Sequence, residues 1–203
     1  MYLSKMHLDI RNIYAKKCLR DCQIMHRSIQ HMFHSSRQES GALYRINPQR
    51  LDVYVWSAEK PDCDSIPAGM KMIGCRDFSE IEAGLQEGGC YRFNLLASPC
   101  KKVPQEGKKN SRRRFLKTIE ERMKWLRNKG GQYGFSVLQV QESHESMTQG
   151  LHDKDDTQEI FYKGVIFQGI LRIEDVALFK KGWQNGIGPG KAYGQGMLIL
   201  YSV

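Results

Sequence analysis

Gly186-Ile-Gly-Pro-Gly-Lys-Ala-Tyr-Gly-Gln-Gly-Met-Leu-Ile-Leu-Tyr201 crowds five glycines and one lysine into a loop that runs straight into an apolar strand. Val176 to Trp183, just ahead of it, reads as a helix, so the loop joins a helix to the strand that follows. Phosphate loops of the Walker and dinucleotide-binding kinds have the opposite polarity, following a strand and opening a helix. Gly190-Lys191 also lacks the Ser/Thr that should come next, and the position where Walker spacing demands another glycine is Asn185. The pattern argues against a nucleotide-hydrolysing P-loop. Glycines at this density remove the Cβ atoms that hold a partner off the backbone, and exposed N–H groups can cradle a phosphate. A loop that tracks a nucleic-acid backbone is the functional reading, with Gly188, Gly190, Lys191 and Gly194 as the contacts. The plainer alternative is a Gly-rich turn that only ends a helix.

Working outward, the helix, loop and strand close a series of alternating elements that occurs twice. Tyr2 to Ile10 alternates apolar and polar residues as a half-buried strand does. Asp21 caps a predicted helix through about Phe33, with Ile24, Met25, Ile29, Met32 and Phe33 at helical spacing. Strands at Ala42 to Asn47 and Leu51 to Ser57 flank the turn Asn47-Pro-Gln-Arg50. A short helix after Pro67 and an extended piece near Ile73 to Phe78 complete the order β-α-β-β-α-β, which is the ferredoxin-like one. Gln86-Glu-Gly-Gly89 reads as a boundary. Beyond it come a strand at Cys90 to Ala97, a basic segment, a helix from about Thr118 to Asn128, and strands at Phe135 to Val140 and Ile160 to Ile173. The helix at Val176 and the strand Met197 to Val203 end the series. The predicted fold is α+β, two ferredoxin-like (RRM-like) domains in tandem, residues 1–88 and 89–203. The polar, acidic stretch from Gln141 to Glu159 is expected to be a loop or mobile hairpin.

The charge is as unevenly placed as the glycines. Of the net +9, all the excess lies between Lys101 and Lys129, which hold 12 Lys/Arg against 3 Asp/Glu, while the rest of the chain carries 19 of each sign. A concentrated basic stripe is the footprint of a phosphate-rich partner. A solvated charged loop is the alternative. The hydrophobic fraction of 40% and aromatic fraction of 10% are those of a folded protein. The six cysteines form no C-x-x-C pair and no Cys/His group with zinc spacing. With no signal peptide and no apolar run long enough for a bilayer, they are read as reduced thiols in a cytoplasmic protein. No metal and no cofactor is expected.

Catalytic chemistry has one good candidate position. On the first helix the apolar set occupies one face, Gln23, Arg27, Gln30 and His34 the opposite stripe, and His26 the border. Histidine exchanges protons near neutrality and a guanidinium can hold phosphate oxygens bidentately, so His26 beside Arg27 could work on a phosphodiester. A surface or core-edge histidine is the plain alternative; His31 and His34 are weaker candidates. RNA cleavage without a metal needs a base for the 2′-hydroxyl, an acid for the 5′-oxygen, and positive charge on the phosphorane-like transition state. A metal nuclease would show clustered carboxylates, and Asp153, Asp155 and Asp156 sit in the polar connector. His26, Arg27 and Lys191 form the better-placed set.

Met-Tyr-Leu-Ser-Lys at the start, the helix core Met25-His-Arg-Ser-Ile-Gln-His-Met-Phe33, the strand Tyr91-Arg-Phe-Asn-Leu-Leu-Ala-Ser-Pro99, and Phe167-Gln-Gly-Ile-Leu with the glycine loop together resemble the CasE family. These are CRISPR-associated endoribonucleases of the type I-E Cascade complex. The resemblance implies a tandem ferredoxin-like protein that binds the repeat stem-loop of CRISPR RNA. It implies a metal-independent cut at the stem base that leaves a 2′,3′-cyclic phosphate and a 5′-hydroxyl, with the product kept as a Cascade subunit's guide. On the matching motif the catalytic histidine falls on His26, with Arg27 as a phosphate contact, and Lys191 falls in the loop facing RNA. Where the family often has a tyrosine, three residues before the histidine, this chain has Gln23, which cannot supply a phenolic proton. Arg112, Arg113 and Arg114 are expected to grip the stem, with Lys108 and Lys109 beside them, because A-form RNA is read through shape and backbone. A non-catalytic subunit that only holds guide RNA is the alternative from another class, and a scaffold without RNA contact would leave the charge surplus unexplained. No aromatic RNP strand is present, which favours stem recognition over single-strand stacking.

Overall fold

The computed structural model describes residues 1–104, 111–152 and 155–203. The chain begins with β1 (Tyr2–Leu8), α1 (Ile13–Arg20), α2 (Cys22–Gln30), the single turn α3 (Arg37–Ser40), β2 (Leu43–Asn47), β3 (Asp52–Ser57), β4 (Met70–Asp77) and a short α4 (Ser79–Ala83). It continues with β5 (Cys90–Ala97), β6 (Cys100–Val103), β7 (Arg112–Phe115), α5 (Ile119–Gln132), β8 (Phe135–His152), β9 (Asp155–Ile173), α6 (Val176–Asn185) and β10 (Leu198–Ser202). The two four-stranded sheets have the orders β2-β3-β1-β4 and β10-β5-β9-β8, and every pairing within them is antiparallel. Numbered within its own set, each sheet has its fourth strand beside the first, then the third and the second. The same ferredoxin-like arrangement is thus built twice.

Two expectations need correction. The first concerns the start of the helical pair. Only a helix from Asp21 was predicted, but α1 precedes it, with just Ala15 and Cys18 buried, too short an apolar stripe to register as a period. Asp21 separates the two: its extended backbone (φ −127°) ends α1, and its carboxylate accepts from the N–H groups of Gln23 and Ile24 to open α2. The second is the absence of a helix between β3 and β4. Pro61 and Pro67 interrupt that segment, proline being unable to supply the helical N–H, and α4 forms only after β4. The polar connector takes the hairpin form of the two expected, β8 and β9 pairing from Phe135↔Ile173 out to Leu151↔Glu159. A paired arm of this kind needs no continuous apolar alternation, because its ladder satisfies the backbone groups.

The core is split accordingly. Met6, Leu8, Met25, Ile29, Met32, Val53 and Val55 are buried between the first sheet and α1–α2. Leu95, Leu126, Phe167, Leu171, Ile173 and Phe179 fill the second, and Leu43 and Trp56 of the first sheet join that cluster. Trp56 meets Trp183 with ring centroids 4.6 Å apart, and Arg45 donates to the Asn94 side-chain carbonyl. The two sheets are therefore joined by an apolar seam with a polar clasp.

All six cysteines are free thiols. Burial pushes the Cys22 thiol up to about 12, with the Asp21 carboxylate adding to the shift. The thiolate is the reactive form. At pH 8, iodoacetamide is expected to label exposed Cys63, Cys75 and Cys90 quickly and to spare Cys22, as read by peptide mass; rapid labelling of Cys22 would contradict this packing. Among the described residues, no helix is long and apolar enough to cross a membrane.

Candidate active site

Helix α2 owes its orientation to three kinds of residue. Met25 and Ile29 are fully buried in the first core. Ser28 donates its hydroxyl to the Ile24 carbonyl at 2.9 Å and so accepts from the Tyr14 hydroxyl, also at 2.9 Å, which ties α2 to α1. Successive helical residues turn by about 100°, so His26 emerges on the other flank, half-buried. There it meets the edge of Tyr193 at 6.1 Å between ring centroids, with an interplanar angle of 74°. Tyr193 in turn lies 5.4 Å from Tyr162 of β9.

Tyr193 belongs to the glycine loop, which folds here as a 3₁₀ turn over Lys191–Tyr193 bracketed by Gly190 and Gly194. Both bracketing residues have φ of +79°, in the left-handed region that side chains rarely adopt. A Cβ on Gly190 would lie 3.0 Å from the Tyr162 ring, and one on Gly194 would lie 3.1 Å from Tyr44. Gly188, likewise, has room only for a hydrogen beside the Trp125 ring of α5, 2.9 Å from a would-be Cβ. The loop thus rests on a bed of aromatic rings while Lys191, half-buried, stays on the turn beside α2.

Tyr44 links the two parts of this site. Its hydroxyl donates to the Cys22 carbonyl in the first turn of α2 at 3.4 Å, while its ring supports Gly194. Burial holds its phenol well above the ordinary value, so it remains a neutral donor. The β8–β9 arm reaches the same end of α2: a Cβ on Gly150 would lie 2.6 Å from Oδ1 of Asp21. Both sheets therefore hold the helix that carries His26.

The remaining predicted residues are distributed around this centre. Arg27 is exposed and lines a cleft of about 420 Å³ with Tyr14, Ser28, His31, Pro67 and Ala68. Gln23 is half-buried, and its backbone N–H donates to Asp21. His34 lies 3.5 Å from an Asp62 carboxylate oxygen at the surface. Among the described residues, no three His, Cys, Asp or Glu side chains come together as a metal-ligand set.

Arg112, Arg113 and Arg114 form β7, the second strand of a ribbon with β6. Arg113 pairs opposite Lys102 and Arg114 opposite Lys101, all exposed. Like charges directly opposite each other destabilise a ribbon, so this arrangement favours binding of an anion over stability of the free protein. Lys108 and Lys109 lie outside the described residues. The base of the ribbon is pinned by Arg122, whose Nη1 donates to the carbonyls of Leu116 and Lys117 at 3.1 and 2.7 Å. The same guanidinium grips Glu142 of β8 through Nε at 2.9 Å and Nη2 at 2.6 Å. Helix α5 runs from this anchor to Trp125 under the glycine loop, one turn on and about 4.5 Å along its axis at 1.5 Å per residue.

The aromatic bed and the Arg122 anchor had not been anticipated. Tyr193 stood within the quoted loop and was the available signal for the bed. The sequence model described as "CRISPR associated protein" matches residues 1–201. The chain belongs to the CRISPR-associated protein family. Among relatives of this CRISPR-associated protein, the endoribonuclease Cse3 of Thermus thermophilus is 27% identical over 215 residues, covering 98% of this chain and 99% of the relative. The Cascade subunit CasE of Escherichia coli K12 is also 27% identical, covering 98% of each chain. Of solved structures, Cse3 bound to a 19-nucleotide RNA superposes with a TM-score of 0.84 at 28% identity over 99% of this chain and all of that one. Thermus thermophilus Cse3 bound to an RNA representing a pre-cleavage complex gives 0.83 at 26%, covering 98% of each. The resemblance to CasE and the tandem ferredoxin-like fold are both borne out.

Proposed function

We propose that this CRISPR-associated protein is a metal-independent endoribonuclease that binds the repeat stem-loop of CRISPR precursor RNA, cuts at the stem base, and keeps the guide RNA as a cytoplasmic Cascade subunit. The observation that carries the reading is the meeting of His26 with the Lys191–Tyr193 turn, in a chain whose full-length relatives include an endoribonuclease solved with RNA. An imidazole for proton transfer beside a lysine for anionic charge is what phosphodiester transesterification requires. One group takes the proton of the 2′-hydroxyl, whose oxygen attacks phosphorus. The bond from phosphorus to the 5′-oxygen breaks as that oxygen gains a proton, leaving a 2′,3′-cyclic phosphate and a 5′-hydroxyl.

His26 is assigned a proton transfer, Arg27 and Lys191 the phosphate, and Gly188, Gly190 and Gly194 the shape of the turn that presents Lys191. The arginine ribbon is assigned the stem. The division into residues 1–88 and 89–203 belongs to the same reading, each part containing one complete sheet. Incubation with the cognate repeat RNA in EDTA, with product ends mapped, tests it: one cut at the stem base with a cyclic phosphate is expected. Tight binding without any cut would make the chain an RNA holder instead.

Replacing Arg112, Arg113 and Arg114 together by alanine is expected to lower RNA affinity and to reduce the slope of log affinity against log salt by about three, roughly one per lost phosphate contact. Binding isotherms at several salt concentrations measure it. An unchanged slope would remove the ribbon from the interface.

A further inference from the structure

Beyond the His26 centre lies the cleft of about 420 Å³ between α2, Tyr14 of α1 and the loop that replaces the missing helix. We propose that this cleft is a subsite for the nucleotide flanking the scissile phosphate on the side away from the stem. The inference rests on the endoribonuclease reading and extends it to the single-stranded part of the substrate.

Position is the first support. Going round α2, His26 faces the glycine loop, Arg27 stands about 100° further on, and His31, one turn along from Arg27, shares its stripe. A strand whose reacting phosphate lies at His26 and which continues away from the glycine loop passes Arg27 and meets the cleft. Arg27 thus stands between the reacting phosphate and the next residue of the chain, where a planar guanidinium can hold phosphate oxygens.

Chemistry is the second. Tyr14, Pro67 and Ala68 present apolar surface, and the Tyr14 ring is held by its bond to Ser28, so a stacked base need not first order its platform. Arg27 and His31 supply the polar groups, and among the described residues no carboxylate lines the cleft. Ligand pockets run from roughly 300 to 1,000 Å³; this one, at the small end, suits one nucleotide and excludes an RNA helix.

The test uses stem-loop RNA made uncleavable by a 2′-deoxy nucleotide at the scissile position, either ending at the stem base or extended by three flanking nucleotides. Stacking one base is worth about 5- to 150-fold in affinity, so the extension is expected to tighten binding to the wild type within that range. An abasic residue at the first flanking position should abolish the gain. Ala68→Trp, which fills the cleft from an exposed position, and Tyr14→Leu, which removes the platform's hydroxyl and ring, should each lose the gain while binding the stem-only RNA like the wild type. If Tyr14→Leu fails to fold, Ala68→Trp decides. A gain that survives in Ala68→Trp, or a wild type indifferent to the extension, overturns the subsite alone. Failure of the wild type to bind stem-only RNA overturns the functional reading beneath it.

Discussion

His26→Ala is expected to lower the single-turnover cleavage rate of repeat RNA by about 10²- to 10⁴-fold, the usual worth of a positioned proton-transfer group, with RNA affinity close to that of the wild type. The two effects separate because different elements supply them. The imidazole sits on the flank of α2 against Tyr193, whereas the five cations Lys101, Lys102, Arg112, Arg113 and Arg114 line the exposed ribbon of β6 and β7. Truncating a half-buried ring at the helix edge leaves Met25 and Ile29 in the core and the Asp21 cap in place, so the helix should persist. Cleavage under single-turnover conditions in EDTA, run beside equilibrium binding, gives the measurement. Parallel loss of both quantities would assign His26 a structural role; an unchanged rate would remove it from the chemistry.

The largest effect on stability is expected from Arg122→Ala, at about 3–5 kcal/mol, the cost of leaving one half of a buried ion pair uncompensated. The guanidinium is 6% exposed and its partner Glu142 is 11% exposed. Its loss strands the carboxylate and removes the donor to two carbonyls at once. For a domain of this size, each kcal/mol moves Tm by roughly 2–4 °C, so thermal or urea unfolding should detect the change easily. Arg122→Met paired with Glu142→Leu should recover much of the loss by removing both charges. A single alanine variant within 1 kcal/mol of the wild type would mean that solvent screens this pair after all.

Particular residues explain how far the sequence could be read. The polarity of the glycine loop and the strand Cys90–Ala97 were legible because apolar periodicity and turn residues agreed over several positions. Glu142 was not, since it lies in the polar arm read as a connector; without that strand, Arg122 looked like one more cation in a basic run. His26 could be singled out from its place on the helix edge. Its neighbour Tyr193 depends on the docking of the two sheets, which no local pattern encodes. The loop glycines are legible as a cluster, but the rings of Tyr44, Trp125 and Tyr162, which leave no room for a side chain at three of them, come from distant parts of the chain.

The seam also bears on how such proteins can be recombined. A chimera that takes its first sheet from one relative and its second from another inherits two intact sets of strands but a mismatched seam, unless both parents agree at Trp56 and Trp183, at Arg45 and Asn94, and where the arm meets Asp21. The arginine ribbon lies on a separate two-stranded sheet outside that line, so transplanting it from a relative is expected to leave the contacts between the two large sheets intact.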